Sequence, residues 1–279
     1  MTFAITGSRG RLAPIIARHL ESAGHTVDLY SRAGGGAILP LSEFPGGGEP
    51  DHVIHCAWSV VPFTAEADPG KSAREDLPLL EAIVRRAPRA VIHFLSTGAV
   101  YGDTGDVPAD EETPARPLGA YASGKLAAER LLAEAAPGRH VILRTTNLLG
   151  EPPNPGRPQG VLPRMIAAAR GRGELEFWGD GSATKDYLFC DDFLAALDAV
   201  IRTDARGIFN AGSGVSHSLN EILAEVERLA GKSVPVKRRP HFSWDVSYSR
   251  ISVARLGSLG WSPRVSLREA VERCWEASP

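Results

Sequence analysis

Apolar residues in the first half of the chain follow two alternating rhythms. Short apolar runs have the length and composition of strands: "TFAIT" from Thr2, "HTVDLY" from His25, "AILPL" from Ala37, "HVIHCA" from His52, "AVIHFLS" from Ala90 and "HVILRT" from His140. Between them lie amphipathic helix patterns. "LAPIIARHLESAG" repeats its apolar residues at helical spacing and ends at Gly24, a residue that closes helices without steric cost. Buried strands interleaved with helices predict an α/β fold, a doubly wound parallel sheet covered on both faces. The stretch from Ala33 to Pro50 holds two triple-glycine runs and is too short for a full crossover helix, so the fold is expected to be abbreviated there.

The texture changes near Gly150. "GEPPNPGRPQG" reads as a Pro/Gly loop, followed by the helix "VLPRMIAAARG" and the turn-rich "WGDGSATKDY". Shorter elements follow: "GIFNAGSG", the helix "LNEILAEVERLAG" and "LGSLGWSPRVSLREAVERCWE". We expect a first unit over residues 1–150 and a smaller, less regular lobe over 151–279, with strand and helix returns to the first unit.

The strand-to-helix turn after "TFAIT" carries the first candidate chemistry. Gly7 and Gly10 permit a tight turn and a close backbone approach, and the following helix points its N-terminus at whatever anion sits there. Ala13 stands where a third small residue is needed for helix-against-strand packing. A second strand ends about 20 residues later, which is the context of a dinucleotide site. That strand ends in "LYSR". Ser31 and Arg32 replace the usual ribose-binding acid, and with Arg9 they suit a 2′-phosphate; the alternative is a pair of solvated surface arginines.

The second candidate is "YASGK". Tyr121 and Lys125 lie four apart on one helical face, and Thr97 lies 24 residues upstream in "FLSTGAVYG". A phenol with an ordinary pKa of about 10 is protonated at neutral pH. An ammonium at i+4 is expected to lower it toward a useful range, while Thr97 orients the reacting oxygen.

Composition narrows the field. The 279 residues are 43% hydrophobic and 23% charged, with a net charge of −2, which gives no electrostatic case for nucleic acid or anionic membrane. No apolar run is long enough to span a bilayer, and the first strand starts at once, so a cytoplasmic protein without a signal peptide is expected. Three scattered cysteines, Cys56, Cys190 and Cys274, suggest neither a disulfide framework nor a zinc site. His52 and His55 fall on opposite faces of one strand, which makes a shared metal improbable.

Together these segments resemble the extended short-chain dehydrogenase/reductase family, the NAD(P)-dependent nucleotide-sugar epimerases, dehydratases and reductases. The motifs "TGSRGRLA", "DHVIHCAW", "FLSTGAVYGD", "YASGK", "LRTTNLLG", "VLPRMI", "WGDGSATKDYLFCDD", "IFNAGSG" and "LGWSP" occur in the family's order over nearly the whole chain. The resemblance implies a Rossmann-like fold with Gly7, Arg9, Gly10, Leu12, Ser31, Arg32, Cys56 and Ala57 around the cofactor, NADP(H) preferred and NAD(H) possible. It makes Thr97, Tyr121 and Lys125 catalytic, Tyr121 as acid/base and Lys125 also on the nicotinamide ribose. It places Asn147, Leu162 and Lys185 at the substrate, a nucleotide-diphosphate sugar, with the segment Val161–Arg164 closing over it, and a cation of the same half, Arg239, is expected as a second diphosphate contact. Arg250 is an alternative to Arg239 as a second diphosphate contact. Trp58, where small residues are usual, either narrows the cleft or packs in the core.

The resemblance also implies a homodimer, pairing the helix about Ala73 to Arg86 with the Tyr121 helix across a two-fold axis. The family's dual epimerase-reductases carry a cysteine and a histidine where this chain has Ala99 and Gly160, so inversion by that route is not expected. Three functions stand at this point. Reduction of a keto-sugar by NADPH comes first, then 4-epimerisation, then a non-catalytic cofactor sensor on the same fold.

Overall fold

The computed structural model describes residues 1–150, 160–242 and 244–278. The first half runs β1 (Thr2–Thr6), α1 (Ala13–Ser22), β2 (Thr26–Ser31), β3 (Ile38–Pro40), β4 (His52–His55), α2 (Pro62–Ala67), α3 (Lys71–Arg86), β5 (Val91–Thr97), α4 (Ala120–Ala135) and β6 (His140–Thr145). The second half runs β7 (Asn147–Leu149), α5 (Val161–Ala169), β8 (Leu175–Trp178), β9 (Thr184–Phe189), α6 (Cys190–Arg202) and β10 (Gly207–Ala211). It ends with β11 (Ser216–Ser218), α7 (Leu219–Ala230), β12 (Val236–Arg239), β13 (Tyr248–Ser249), α8 (Ala254–Gly257) and α9 (Leu267–Ala277).

Six strands of the first half and β10 form one parallel sheet in the order β10-β6-β5-β4-β1-β2-β3. Successive side chains of a strand face opposite sides, so each apolar run feeds two cores. Phe3, Ile5, Ile54, Val141 and Leu143 face α1 and α6. Ala4, Val53, Ile92, Phe94 and Ile142 face α3 and α4. The order reverses direction between β1 and β4, the switch point beyond whose carboxyl ends ligands bind in open α/β sheets.

"GIFNAGSG" therefore does not belong to the small lobe by contact. β10 pairs with β6, and α6 packs Phe193, Leu197 and Val200 into the core beside α1. The returns across residue 150 are part of the main sheet. A separate core of Leu162, Met165, Phe177, Ile222, Val226 and Val271 joins α5, α7 and α9 to the strand pair β8–β12 and to the small sheet around β9.

The abbreviated segment is as short as the sequence predicts. No crossover helix joins β2, β3 and β4; the chain turns through Gly34, Gly35 and Gly36, all at positive φ, and through one 3₁₀ turn at Leu41–Glu43. The Pro/Gly loop expected over "GEPPNPGRPQG" lies, apart from its two end glycines, outside the described residues.

Candidate active site

The turn after β1 is built for close approach. Gly7 has φ 77°, and a Cβ there would lie 2.6 Å from the Ala57 backbone nitrogen, so the turn rests directly on the end of β4. Gly10 N donates to Gly7 O at 2.8 Å, which closes the turn before α1. Ala13 is fully buried against the sheet, as the packing role requires. Leu12 packs at the edge of the same core and so shapes the turn from below.

The turn is tied to β2: Ser8 Oγ donates to Tyr30 O at 2.6 Å, and Arg9 Nε donates to Ser31 Oγ at 3.2 Å. Arg9 Nη2 also donates to Gly34 O, so its guanidinium bridges the glycine turn, the end of β2 and the triple-glycine loop. Arg32 is not part of this cluster. Its side chain is 75% exposed and pairs with Glu75 of α3 at 3.0 Å, because that carboxylate is the nearer counter-charge. The expectation of Arg9, Ser31 and Arg32 converging is thus corrected to Arg9 and Ser31.

Tyr121 and Lys125 occupy the first turns of α4, whose first amide, Ala120 N, donates to Glu66 of α2 at 2.5 Å. Lys125 is 5% exposed, and its Nζ donates to Leu95 O at 2.7 Å, two residues before Thr97 at the end of β5. This bond docks α4 on β5 and brings the lysine, the tyrosine-bearing turn and the threonine to one place. Thr97 Oγ1 accepts from Ala99 N at 3.2 Å, which leaves the hydroxyl hydrogen free to donate to an incoming oxygen.

The electrostatics differ from the expectation. Burial pushes the Tyr121 phenol up to about 12, with no offsetting contribution from Lys125. Burial pulls Lys125 down to about 7, against smaller upward contributions from Cys56, Asp76 and Glu129. The Lys125 ammonium lies 5.9 Å from the Tyr121 ring centroid but also 4.2 Å from the Trp58 ring and 4.7 Å from the Phe94 ring. Low dielectric opposes both charged forms more than one point charge at that distance favours them.

The carboxylates of Glu129 and Asp76, under the site, are both hydrogen-bonded. Glu129, one turn beyond Lys125, accepts Arg144 Nη2 at 2.6 Å and also accepts from Ser96 Oγ, all inside the protein. Arg144 lies over the Tyr101 ring at 4.8 Å, and Tyr101 OH donates to Asn210 Oδ1 at 2.7 Å. Asp76 of α3 accepts both Ser59 N at 2.8 Å and Ser59 Oγ at 2.9 Å, and so fixes the loop carrying Cys56, Ala57 and Trp58. Cys56 is held as a thiol, its pKa raised to about 12 by burial. No cluster of metal-binding side chains is found among the described residues.

The expected substrate residues divide. Asn147 is exposed at the start of β7 and uses one amide hydrogen on Asp186 O, at 3.0 Å. Leu162 is fully buried in the core under α5 and has no surface to offer a ligand, which corrects its assignment; the helix turns that face inward to pack on α7. Lys185 pairs with Asp245 at 2.5 Å. Arg239 pairs with Glu176 at 2.7 Å across the β8–β12 pair. Arg250 donates to Gly214 O at 3.0 Å.

Two features escape sequence reasoning. Asp186, fully buried, accepts from Ser213 N, Ser213 Oγ, Gly214 N and Thr146 Oγ1, joining β9 to the loop after β10. Phe242 stacks on Trp244 at 4.7 Å and on Trp178 at 5.6 Å, and meets Phe63 of α2 edge-on at 6.1 Å. This aromatic wall abuts Gly119, just before α4, where a Cβ would lie 3.5 Å from Trp244. The aromatics of "HFSW" were the available signal.

Comparison with known proteins supplies an independent line. The sequence profile of the NAD dependent epimerase/dehydratase family matches residues 3–212. A UDP-glucose 4-epimerase of Mycolicibacterium smegmatis is 29% identical over 251 residues, 85% of this chain and 77% of the relative. The Thermus thermophilus UDP-glucose 4-epimerase, solved in complex with NAD, superimposes with a TM-score of 0.85 at 26% identity, covering 98% of this chain and 99% of that one. The Thermotoga maritima UDP-glucose 4-epimerase, solved with UDP-glucose, shares the fold with a TM-score of 0.88 at 22% identity over 99% and 98% of the two chains.

Proposed function

Because this chain belongs to the NAD-dependent epimerase/dehydratase family, we propose that it is an NAD(P)-dependent nucleotide-sugar 4-epimerase acting on a UDP-hexose. Reduction is the first expectation from the residues. The relatives favour its alternative, and epimerisation becomes the leading reading. The single observation that carries it is the docking of Lys125 on the Leu95 carbonyl, two residues before Thr97, which supports a shared site for Lys125, Tyr121 and Thr97 at the carboxyl end of the sheet, where the glycine turn after β1 also lies.

The residues fit the cofactor at its phosphate end. The Gly7–Gly10 turn presents backbone amides and the N-terminus of α1 to a pyrophosphate. When bound, the dinucleotide supplies reversible hydride exchange with a sugar carbon. The protein supplies the proton traffic: Tyr121 Oη takes the proton of the sugar hydroxyl and returns it, and the Thr97 hydroxyl holds that oxygen. Tyr121 ionises at a cost in this dry site, so its phenolate is useful only while an ammonium stands near it. Asp76, through Ser59, and the buried Glu129–Arg144 pair keep the surrounding elements fixed.

A second reading rests on a specific observation. β2 ends in Ser31 and the Arg9 guanidinium instead of a carboxylate, which favours a 2′-phosphate and hence NADP(H), the currency of net reduction. One experiment separates the two readings. UDP-glucose and UDP-galactose are followed by proton NMR with each cofactor, and NADPH oxidation is followed with 4-keto-hexose nucleotides. Interconversion of the two sugars without net change in the cofactor is expected. Stoichiometric NADPH consumption with no epimer would replace it with the reductase reading, and inertness in both assays would remove the enzymatic proposal for these substrates.

A further inference from the structure

The aromatic enclosure of Lys125 has no part in the proton transfer described so far. Among the described residues the ammonium donates to Leu95 O, at 2.7 Å, and meets ring faces: Trp58 at 4.2 Å, Phe94 at 4.7 Å and Tyr121 at 5.9 Å from the centroids. Trp58 is pinned in this position. Its neighbour Ser59 gives both its amide and its hydroxyl to the buried carboxylate of Asp76 on α3. The indole edge rests against α4 beside Gly124, where a Cβ would come within 3.5 Å of the ring. A Cβ there would meet Ser72 of α3 first, at 3.0 Å, so α3, α4 and the indole are packed closely at this point. Trp58 Nε1 makes no hydrogen bond within the protein, so the ring is held by its faces and edges rather than by its polar atom.

The charged and titratable groups around Lys125 are buried, hydrogen-bonded or paired with one another. On its own helix, Tyr121 is a neutral phenol and Glu129 is neutralised by Arg144 of β6. From β4 and its end come His55, neutral and bonded to Thr6, and Cys56, a thiol. From α3 comes Asp76, whose oxygens are taken by Ser59. Cys56, Asp76 and Glu129 favour the ammonium, by less than burial opposes it. A cation over the face of an indole is favoured by the ring quadrupole, most strongly where water is excluded. We propose that Trp58 is the positioning residue that keeps Lys125 in its cationic form in this buried site, supplementing the partial support of the nearby carboxylates. Burial, offset only in part by Cys56, Asp76 and Glu129, brings Lys125 down to about 7, so a further contribution from the ring face bears on its charge at neutral pH. Its consequence for Tyr121 rests on the acid–base reading above; the titration of Lys125 does not.

The test is the titration of Lys125 Nζ by nitrogen-15 NMR in the ligand-free protein, with tryptophan replaced by analogues bearing one to four ring fluorines. Fluorine weakens the ring face with little change in shape, so burial and folding are retained. Trp58 is the tryptophan whose ring meets the ammonium among the described residues. The midpoint is expected to fall with each added fluorine, by about one pH unit across the series. Trp58→Phe, which keeps a weaker ring, should give a smaller fall. A midpoint that stays constant or rises along the series overturns the proposal. A falling midpoint with an unmoved pH profile of turnover supports the aromatic enclosure and overturns the acid–base role assigned to Lys125, so the two failures are distinguishable.

Discussion

Tyr121→Phe deletes one oxygen from a ring packed at the start of α4 and leaves its apolar contacts in place. Turnover on an identified nucleotide sugar is expected to fall by about 10²–10⁴-fold, with thermal stability and dinucleotide affinity nearly unchanged. Wild-type turnover in this variant would show that the phenol is not the acid/base. The Tyr–Lys spacing was legible from sequence, whereas the state of the two groups was not. Spacing reports a shared helical face, and burial under Trp58 and Phe94 decides how each titrates. Arg9 and Arg32 make the same point. Both are arginines near the end of β2, yet Arg9 is held by Ser31 and Gly34 while Arg32 faces Glu75. Arg9→Ala should therefore weaken NADPH binding by tenfold or more, since one charge-assisted hydrogen bond contributes roughly 1.5–3 kcal/mol. Arg32→Ala should change it less. Calorimetric titration with NADPH and NADH checks both, and an equal loss for the two cofactors in Arg9→Ala would sink the 2′-phosphate assignment.

Among the elements, α4 carries the most. It presents Tyr121, buries Lys125, and anchors on β6 through Glu129 and Arg144, whose side chains are 4% and 5% exposed. A buried pair is a weak source of net stability, but breaking one leaves a charge without a partner. Glu129→Ala is expected to destabilise the fold by about 3–5 kcal/mol, measured by urea denaturation. Replacing Glu129 and Arg144 together by Leu and Met should cost much less. If the single substitution were as mild as the double, the pair would not be the anchor of α4. The sequence pattern placed α4 and β6 correctly, because each has its own apolar periodicity. It did not pair Glu129 with Arg144, which lie on different elements and meet only when the helix docks. The aromatic wall is similar: Phe63, Trp178, Phe242 and Trp244 come from α2, β8 and the segment after β12, and only packing assembles them.

At the scale of the whole molecule, three histidines are folded into the sheet as neutral rings. Burial holds His55 down to about 3 and lowers His52 and His93, which share a hydrogen bond of 2.9 Å inside the protein. In the unfolded chain each takes a proton near pH 6.5, so the unfolded state binds more protons below that value. Their contribution is fully present above pH 6.5 and is lost as the pH falls toward the folded values. His55 alone accounts for about 1.4 kcal/mol per pH unit in that window. Denaturation free energies measured between pH 7.5 and 4.5 should therefore decline, and His55→Gln should decline less steeply; identical slopes would exclude His55. A homodimer through α3 and α4 remains a proposal. Leu80, Ile83, Leu126 and Leu132 are spent inside the chain, so the outer faces keep few of the apolar positions that the sequence suggested for pairing. Dimer mass by light scattering at micromolar concentration is the expected result, and a monomer would remove it.

The sequence by itself determined the alternation of strands and helices, the glycine turn, the shared face of Tyr121 and Lys125, and the shortened link before β4. All of these are local: a period, a backbone freedom or a spacing contained within one element or one turn. Tertiary structure alone decided that β10 closes the edge of the main sheet, that Leu162 faces the core, and that Arg32 turns to Glu75. It also decided that Lys125 is enclosed by the rings of Trp58 and Phe94. Each of these depends on which side chain from a distant segment arrives first at a given volume or charge. That competition is settled by packing and desolvation between elements, and no periodicity along the chain records its outcome.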